Sequence, residues 1–202
     1  MSMLVADYVD MGKGKYRVTF ENGIVLVLYR GEISRLSISA GTEITEEEYD
    51  FLLSVVAKRA KKRALYLLEK MDRSEAKLRE KLSSNEYPKQ CIDDAIEYVK
   101  SFHYLDDLRL AKNYVRYHQE SLSRQQISVK LIQKGIRRDE IAIALDEEYF
   151  ADEEEQIRKI LQKKQFSYEE YNEKNFRRMY QYLLRRGFKC SDIIIAMKSP
   201  KI

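Results

Sequence analysis

Residues 103–145 decide the fold, and they read HYLDDLRLAKNYVRYHQESLSRQQISVKLIQKGIRRDEIAIAL. The apolar spacing in this stretch predicts three short helices in a row. Ser123 and Gln126 have the spacing of a capping box, which would open the second helix. Gly135 would close that helix at a position that favours a left-handed residue. The residues expected to face one small shared core are Leu110, Ala111, Tyr114 and Val115 in the first helix, Ile127 and Leu131 in the second, and Ile141, Ala144 and Leu145 in the third.

The same apolar pattern occurs three times along the chain. Leu131 is followed by Ile141 and Ala144 at steps of 10 and 13 residues, and Leu82 and Leu183 are followed by isoleucine and alanine at the same steps. The three leucines are 49 and 52 residues apart. A period of this length predicts a tandem repeat of one helical unit. Three-helix units that contact only their neighbours are expected to form an elongated, curved array.

Motifs in the first two repeats give a resemblance to a known family. The middle repeat contains Tyr104-Leu105-Asp106-Asp107 followed by Ala111, and then Arg124-x-x-Ile127-x-x-x-Leu131-x-x-Lys134-Gly135-Ile136. The first repeat contains Arg73-Ser74 followed by Leu78 and Leu82. With these motifs the chain resembles the RecX family from about residue 42 to residue 198. It departs from the family at His103 and at Glu120-Ser121, where glycine is common, and at Lys77, where an acid is usual.

The resemblance implies a function. RecX proteins are known to bind within the helical groove of RecA–DNA filaments and to hinder strand exchange, ATP hydrolysis and co-protease activity. By that resemblance we expect a monomeric regulatory protein that binds the RecA filament and reaches DNA mainly through it. The alternative function is a helical-repeat nucleic-acid-binding module that acts without a recombinase partner. A scaffold for an unrelated protein is a third interpretation, which the motif match disfavours.

Four segments are expected along the chain. Residues 1–41 should form a small β-hairpin region, because Tyr16, Val18 and Phe20 alternate with polar residues before Asn22-Gly23, a strong hairpin signal. The remaining segments are a long helix with the first three-helix repeat (42–103), the second repeat (104–148) and the third repeat (149–202). The expected fold is therefore mainly α-helical, with a small sheet before three tandem repeats.

The sequence also predicts a third strand and the starts of two longer helices. Leu4 to Val9 would add a third strand, whereas residues 33–38 fit either a short helix or a turn. Thr45 begins a capping box for a helix that should run to about Met71. A second capping box, Ser167-Tyr168-Glu169-Glu170, should open a helix that ends near Arg186.

Composition fits long exposed helices. The 202 residues include 35% charged residues but only 7 glycines and 2 prolines, which is unlike a β-sandwich. The net charge of +4 permits an acidic partner without requiring one. No apolar run reaches the roughly 18 residues needed to span a bilayer, and no signal peptide is recognised. We therefore expect a cytoplasmic protein that does not contact a membrane.

The sequence offers no residues arranged for catalysis or metal binding. His103 and His118 have no metal-ligand spacing around them, and no glycine-rich loop opens a helix after a strand. No serine or cysteine has a candidate base at a motif spacing. Cys91 and Cys190 are expected to be reduced thiols in the core. We expect no enzyme activity, no catalytic residue, no metal and no cofactor.

Basic residues are the candidate binding residues, and they fall on three segments. Five of the seven residues from 57 to 63 are basic, and residues 123–138 contain five basic residues and no acid. In the third repeat, no acid lies between Lys174 and Lys189, a pattern typical of polyanion-binding surfaces. The predicted filament-binding residues are Lys58, Arg59, Lys61, Lys62, Arg63, Arg124, Lys130, Lys134, Arg137, Arg138, Lys174, Arg178, Arg185 and Arg186.

Each charged segment also has a structural interpretation. The block at 57–63 is either a solvated helix balanced by the acids before it or a contact for phosphate or an acidic surface. The stripe in the third repeat either binds a polyanion or keeps a solvent-facing helix soluble. Seven of the ten residues from 146 to 155 are acidic. They either cap and solvate the next helix or restrain the basic surface when no partner is bound.

Aromatic residues are numerous, with 15 tyrosines in the chain. Tyr98, Tyr114 and Tyr180 fit apolar helix faces. Tyr117 and Tyr182 could stack on nucleic-acid bases or on a partner, although packing in or around the core is the commoner role of such residues.

Overall fold

The computed structural model describes residues 2–166 and 172–198, which belong to two compact units, Met1–Asp106 and Asp107–Ile202. The elements of the first unit are β1 (Ser2–Gly12), β2 (Lys15–Phe20), β3 (Val25–Tyr29), α1 (Arg30–Leu36), β4 (Glu43–Thr45), α2 (Glu46–Lys70), α3 (Glu75–Ser83) and α4 (Lys89–Ser101). The described elements of the second unit are α5 (Asp107–His118), α6 (Arg124–Gln133), α7 (Arg138–Glu148), α8 (Glu153–Lys163), α9 (Glu173–Arg185) and α10 (Cys190–Lys198).

The positions that define the repeat lie in the core of each three-helix group. Leu82, Leu131 and Leu183 are fully buried in α3, α6 and α9. The residues 10 and 13 positions further on are also buried, and they are Ile92, Ala95, Ile141, Ala144, Ile193 and Ala196. The predicted fold class is confirmed as mainly helical, with a small sheet before three three-helix repeats. The predicted curvature of the array stays a prediction.

The N-terminal strands form one antiparallel sheet in the order β3-β2-β1-β4. β2 and β3 are the predicted hairpin, with Lys15 opposite Tyr29. β1 contains the predicted third strand. β4 was not expected, and it pairs with β1 through Thr45 opposite Ser2. The segment at 33–38, which the sequence left undecided, lies mostly in α1.

The sheet is stabilised by packing on α2. Phe20 of β2 and Tyr49 of α2 meet edge to face with ring centroids 5.3 Å apart, and both are buried. Thr45 caps α2 by accepting a hydrogen bond from the Glu48 amide at 3.2 Å, which confirms the predicted capping box. Because an isolated hairpin is only marginally stable in water, this shared core is what holds the strands in place.

One turn geometry ends the second helix of every repeat. Four residues after the repeat leucine the backbone is left-handed, with φ of 60° at Glu86, 82° at Gly135 and 78° at Gly187. The amide of the next residue then donates to the carbonyl oxygen of that leucine, at 3.4, 3.1 and 3.4 Å. This hydrogen bond is typical of the Schellman motif, which satisfies helix-end carbonyl groups. The repeats therefore share a backbone feature even where Glu86 replaces glycine.

The same geometry explains one departure from the family pattern. His103 follows α4 with φ of 57°, and the amide of Tyr104 donates to the Val99 carbonyl oxygen at 3.0 Å. Glycine adopts this left-handed conformation without the steric cost of a Cβ atom. The family preference for glycine before the tyrosine therefore has a backbone cause.

Gln165, which follows α8, is exposed and has φ of 53°. We expect Gln165→Gly to raise the free energy of unfolding by up to about 1 kcal/mol, because a non-glycine residue in this conformation costs roughly 1–2 kcal/mol, partly offset by a more flexible unfolded chain. Gln162→Gly, the same change inside α8, should lower the free energy of unfolding by about 1 kcal/mol. Urea unfolding followed by circular dichroism measures both, and changes of the same sign would contradict the backbone explanation.

The third repeat differs from the others where its second helix begins. The side chain of Asn172 accepts hydrogen bonds from the amides of Lys174 and Asn175, at 3.0 and 3.3 Å, and α9 starts at Glu173. The capping box predicted at residues 167–170 lies outside the described residues.

Repeats 2 and 3 are joined by close polar contacts inside the second unit. The buried Ser123 side chain accepts from the Gln126 amide at 3.2 Å, as the predicted capping box requires, and donates to the Arg186 carbonyl oxygen at 2.6 Å. A Cβ atom at Gly187 would lie 2.9 Å from the Cβ of Gln125. Glycine is therefore required at this turn for spacing as well as for its positive φ. The start of α6 packs directly on the turn that follows α9.

Candidate functional site

The clearest basic surface lies on α9. Lys174, Arg178 and Arg185 are all exposed, and because 11 residues separate the first from the last, they extend over about 16 Å of helix. The opposite face carries the half-buried Phe176, Met179 and Tyr180 and the fully buried Leu183. The predicted amphipathic character is confirmed for the described helix. The role of the stripe in binding stays a prediction.

The three cations of this stripe are available to a partner. Within the described residues, Lys174, Arg178 and Arg185 make no contact with a carboxylate or an aromatic ring. Arg177 on the same helix differs, because it pairs with Glu173 at 3.2 Å. Cations without an internal partner keep their full charge interaction for an external one, whereas a paired cation must first lose its carboxylate.

The basic block of α2 is divided between structural contacts and solvent. The Arg59 guanidinium lies 4.6 Å from the Tyr29 ring centroid and 3.3 Å from Glu32 Oε2. Through these contacts Arg59 attaches α2 to the end of the hairpin at Tyr29 and to Glu32 of α1. Lys58 and Lys62 are exposed and have neither a carboxylate nor a ring as partner among the described residues.

The middle repeat shows the same division. Lys130 and Arg138 are exposed and form no ion pair in the described part of the chain. Lys134 Nζ lies 5.3 Å from the Tyr114 ring centroid. Arg137 pairs with Glu140 at 3.2 Å, and this hydrogen bond raises the pKa of Arg137.

Arg124 contributes to the fold itself. Its guanidinium pairs with Asp146 and donates to the Leu145 carbonyl oxygen at 3.1 Å, and its amide donates to Glu153 Oε1 at 2.7 Å. These contacts join α6 to the end of α7 and the start of α8. A binding role for the Arg124 side chain would have to compete with them. Arg186 is half-buried, with its guanidinium 5.3 Å from the Tyr182 ring centroid.

The acidic segment at 146–155 is mainly structural. Glu148 pairs with Arg116 at 2.5 Å, and the hydrogen bond lowers the pKa of Glu148. Asp152 caps α8 by accepting from the amides of the first turn, so the predicted capping role is confirmed. Among the described residues, Arg124 is the one predicted binding residue that this segment pairs with. Capping and solvation therefore account for the acids better than restraint of the basic surface does.

The two cysteines differ in environment. Cys91 is buried in α4 as predicted, and burial raises the pKa of its thiol to about 11. The prediction of a core position for Cys190 is wrong, because Cys190 is exposed at the first residue of α10. The inward positions of α10 are taken by Ile193, Ala196 and Met197, one to two turns further along.

Residues 2–166 and 172–198 contain neither a metal-binding cluster nor a membrane-spanning helix. In these residues no group of three His, Cys, Asp or Glu side chains is placed to hold a metal ion. No helix in the same ranges is both long enough and apolar enough to cross a membrane.

The first unit also forms a cleft that the sequence did not indicate. It has a volume of about 610 Å³ and is lined by residues of α2, by Tyr98 of α4, and by Phe102 and Tyr104 after α4. The sequence pattern placed Tyr98 on an apolar face, but this residue is 36% exposed. The inward side of α4 is formed by neighbouring positions such as Ile96 and Val99, so Tyr98 lies at its edge. The sequence did carry one signal for this cleft, which is the presence of three aromatic residues among the seven positions 98–104 at the end of α4.

Tandem three-helix repeats with exposed basic faces define the class of this chain as a helical-repeat protein. Comparison with family models identifies the family of helical-repeat proteins to which it belongs. The first, second and third three-helix domains of RecX match residues 60–98, 106–145 and 152–197. The chain belongs to the RecX family.

Curated relatives agree with this assignment, and solved structures share the fold. Regulatory protein RecX of Caldanaerobacter subterraneus subsp. tengcongensis is 29% identical, covering 95% of this chain and 96% of the relative. Regulatory protein RecX of Clostridium beijerinckii is 30% identical over 75% of this chain and 73% of its own. A crystal structure of regulatory protein RecX has a TM-score of 0.66 at 20% identity, covering 98% of this chain and all of that one. The crystal structure of RecX from Lactobacillus salivarius has a TM-score of 0.63 at 21% identity, covering 72% of this chain and 96% of that one.

Proposed function

We propose that this chain regulates a RecA-type recombinase by binding the RecA–DNA filament and inhibiting strand exchange, ATP hydrolysis and co-protease activity. Membership of the RecX family and relatives named regulatory protein RecX support a regulatory role. The proposal includes action as a cytoplasmic monomer, with no cofactor and no chemical step of its own. DNA is reached through the filament, and any direct contact with free DNA is weak.

The observation that carries the binding model is the unpaired basic stripe of α9. Lys174, Arg178 and Arg185 are exposed and have no carboxylate or ring partner in the described part of the chain. A row of such cations along one helix suits a long acidic surface, which is what a nucleoprotein filament presents. Lys130 and Arg138 in the middle repeat offer two more unpaired cations.

DNA-dependent ATP hydrolysis by the recombinase of the same host tests the proposal. We expect the rate to fall when this protein is titrated in well below one copy per recombinase monomer, because one bound copy would affect a filament rather than a single subunit. The fall should weaken as salt is raised, since exposed charge contacts are screened. No change in rate at an excess of protein and low salt would rule out the inhibitor model.

A second function follows from the same unpaired cations without the family assignment. The chain would then be a nucleic-acid-binding module that binds free DNA tightly by itself. A mobility assay without recombinase separates the two functions. Weak binding to free DNA together with strong binding to the filament supports regulation, whereas equally tight binding to both supports the module.

A further inference from the structure

The cleft of the first unit exposes an unusual group of aromatic rings. Tyr66, Tyr98, Phe102 and Tyr104 line it, and they are 48%, 36%, 54% and 55% exposed. Tyr98 and Phe102 have ring centroids 5.1 Å apart, and Phe102 and Tyr104 have centroids 6.0 Å apart with planes only 22° from parallel. Apolar surface that is exposed and contiguous in this way commonly marks a binding site.

The chain direction at the end of α4 creates this display. Val99 is the last fully buried residue of the helix, and the left-handed turn at His103 sends the chain back so that Leu105 is buried again. Phe102 and Tyr104 flank that turn and are both more than half exposed. Their rings therefore project from a helix end that is closed by backbone hydrogen bonds.

Positive charge surrounds the rings. Lys61 Nζ lies 5.4 Å from the Tyr98 ring centroid, and Lys70 Nζ lies 5.4 Å from the Tyr66 ring centroid. Lys62 lines the cleft, is exposed, and has no carboxylate or ring partner among the described residues. Glu69 is the acid of the lining. The cleft thus combines flat apolar rings with an excess of cations on α2.

We infer that this cleft binds single-stranded nucleic acid, with bases stacked on Phe102 and Tyr104 and phosphates held by Lys61 and Lys62. A polyanion that also presents flat aromatic faces matches both parts of the surface, and single-stranded nucleic acid is the partner of that chemistry. Duplex DNA does not match, because its bases are stacked on one another. An acidic peptide would satisfy the lysines but would leave most of the ring surface without a matching partner.

The inference goes beyond regulation of a recombinase and does not depend on it. Lys61 and Lys62 are among the predicted filament-binding residues, but the proposed filament contact rests on α9 of the second unit, whereas the cleft belongs to the first unit. The cleft also gives Lys61 and Lys62 a partner that is independent of protein acids.

Fluorescence anisotropy with a labelled oligothymidylate of about 16 nucleotides, a length at the upper end of common binding sites, tests the inference on the full chain. Replacing Phe102 and Tyr104 together by alanine should weaken binding by at least about tenfold, since stacking on each ring contributes substantially. Phe102→Tyr should retain the affinity of the parent chain. Phe150→Ala is the matched control, because Phe150 is 78% exposed in the second unit. It should leave affinity within about twofold of the parent chain, because Phe150 does not line the cleft.

The charges are tested by salt dependence. Changing Lys61 and Lys62 to glutamine should reduce the slope of log affinity against log salt by about 1.4, for two lost contacts at roughly 0.7 each. The double aromatic variant should keep the slope of the parent chain. An unchanged slope in the lysine variant would overturn the assigned phosphate contacts.

Photo-crosslinking with an oligonucleotide that carries 5-iodouracil tests the site without any substitution. We expect crosslinks within residues 98–104, and crosslinks confined to the second unit would overturn the inference. Equal oligothymidylate affinity of the double aromatic variant and Phe150→Ala would also overturn it. If the double variant lost filament binding but kept oligothymidylate affinity, the cleft would be a protein-docking surface instead. The anisotropy and photo-crosslinking assays contain no recombinase. Failure of the inhibitor model would therefore be seen separately, in the measurement of ATP hydrolysis.

Discussion

Replacing both Arg178 and Arg185 by glutamate is expected to abolish inhibition of the recombinase while the chain keeps its helical content. Both side chains are exposed and lack carboxylate or ring partners within the described residues. Reversing two charges turns attraction to an acidic filament into repulsion, and like charges brought together at an interface cost several kcal/mol. Filament affinity should therefore fall on the order of 100-fold or more. Stability should change by no more than about 1 kcal/mol per site, because both positions are exposed but Arg185 lies in the last turn of α9, where an acid is unfavourable with the helix dipole.

A matched charge reversal separates the stripe from net charge. Lys159 and Lys163 are exposed on α8 of the same repeat, and their replacement by glutamate gives the same total change in charge. Lys159 differs from the stripe residues in having a carboxylate, Glu155, at 3.9 Å. This control should retain most of the inhibition measured by DNA-dependent ATP hydrolysis. Full inhibition by a folded Arg178→Glu and Arg185→Glu variant would remove the α9 stripe from the binding model. Equal loss in both variants would show that net charge matters more than position.

Leu131→Ala is expected to lower the free energy of unfolding of the second unit by about 2–5 kcal/mol. Leu131 is fully buried in α6, in a cluster with Ile127, Ile141 and Ala144. Truncation removes apolar contacts and leaves a cavity, because a small close-packed core collapses only partly around it. A loss of this size is a large part of the roughly 5–15 kcal/mol that stabilises a typical domain.

Ile132→Ala is the control for this prediction, because the adjacent Ile132 is 44% exposed. It should change the free energy of unfolding by no more than about 0.5 kcal/mol. Urea unfolding gives the stabilities, and hydrogen exchange read by mass spectrometry shows which unit has opened. We expect faster exchange in α5–α10 and unchanged exchange in α2. Similar losses for both substitutions would mean that the repeat leucine is not a core position.

The sequence predicted the parts of the fold that rest on burial and capping. The steps from Leu131 to Ile141 and Ala144 were informative because a buried helix face restricts its positions to large or small apolar residues. The caps at Thr45 and Ser123 were predictable because the chemistry lies within four residues of chain. The short β4 was missed, since three residues of strand carry too little pattern to distinguish them from a loop.

The candidate site was less predictable than the fold. The basic stripe of α9 was visible because helical periodicity alone places Arg178 and Arg185 on one face. The partners of Arg59 and Arg124 were not visible, because Glu32 and Asp146 lie 27 and 22 residues away in sequence. The aromatic cleft depends on the angle at which the chain leaves α4, which the left-handed His103 sets. A histidine at that position does not by itself indicate a positive φ.

The contact between Ser123 and the turn at Arg186-Gly187 has a consequence for how such an array can change length during evolution. A deletion that removed the third repeat would leave the cap of α6 facing water and the amide of Arg124 without Glu153. Recombination between repeat-coding segments should therefore be selected against between α7 and α8. We therefore expect the second and third repeats to be inherited as a pair, although each has its own core.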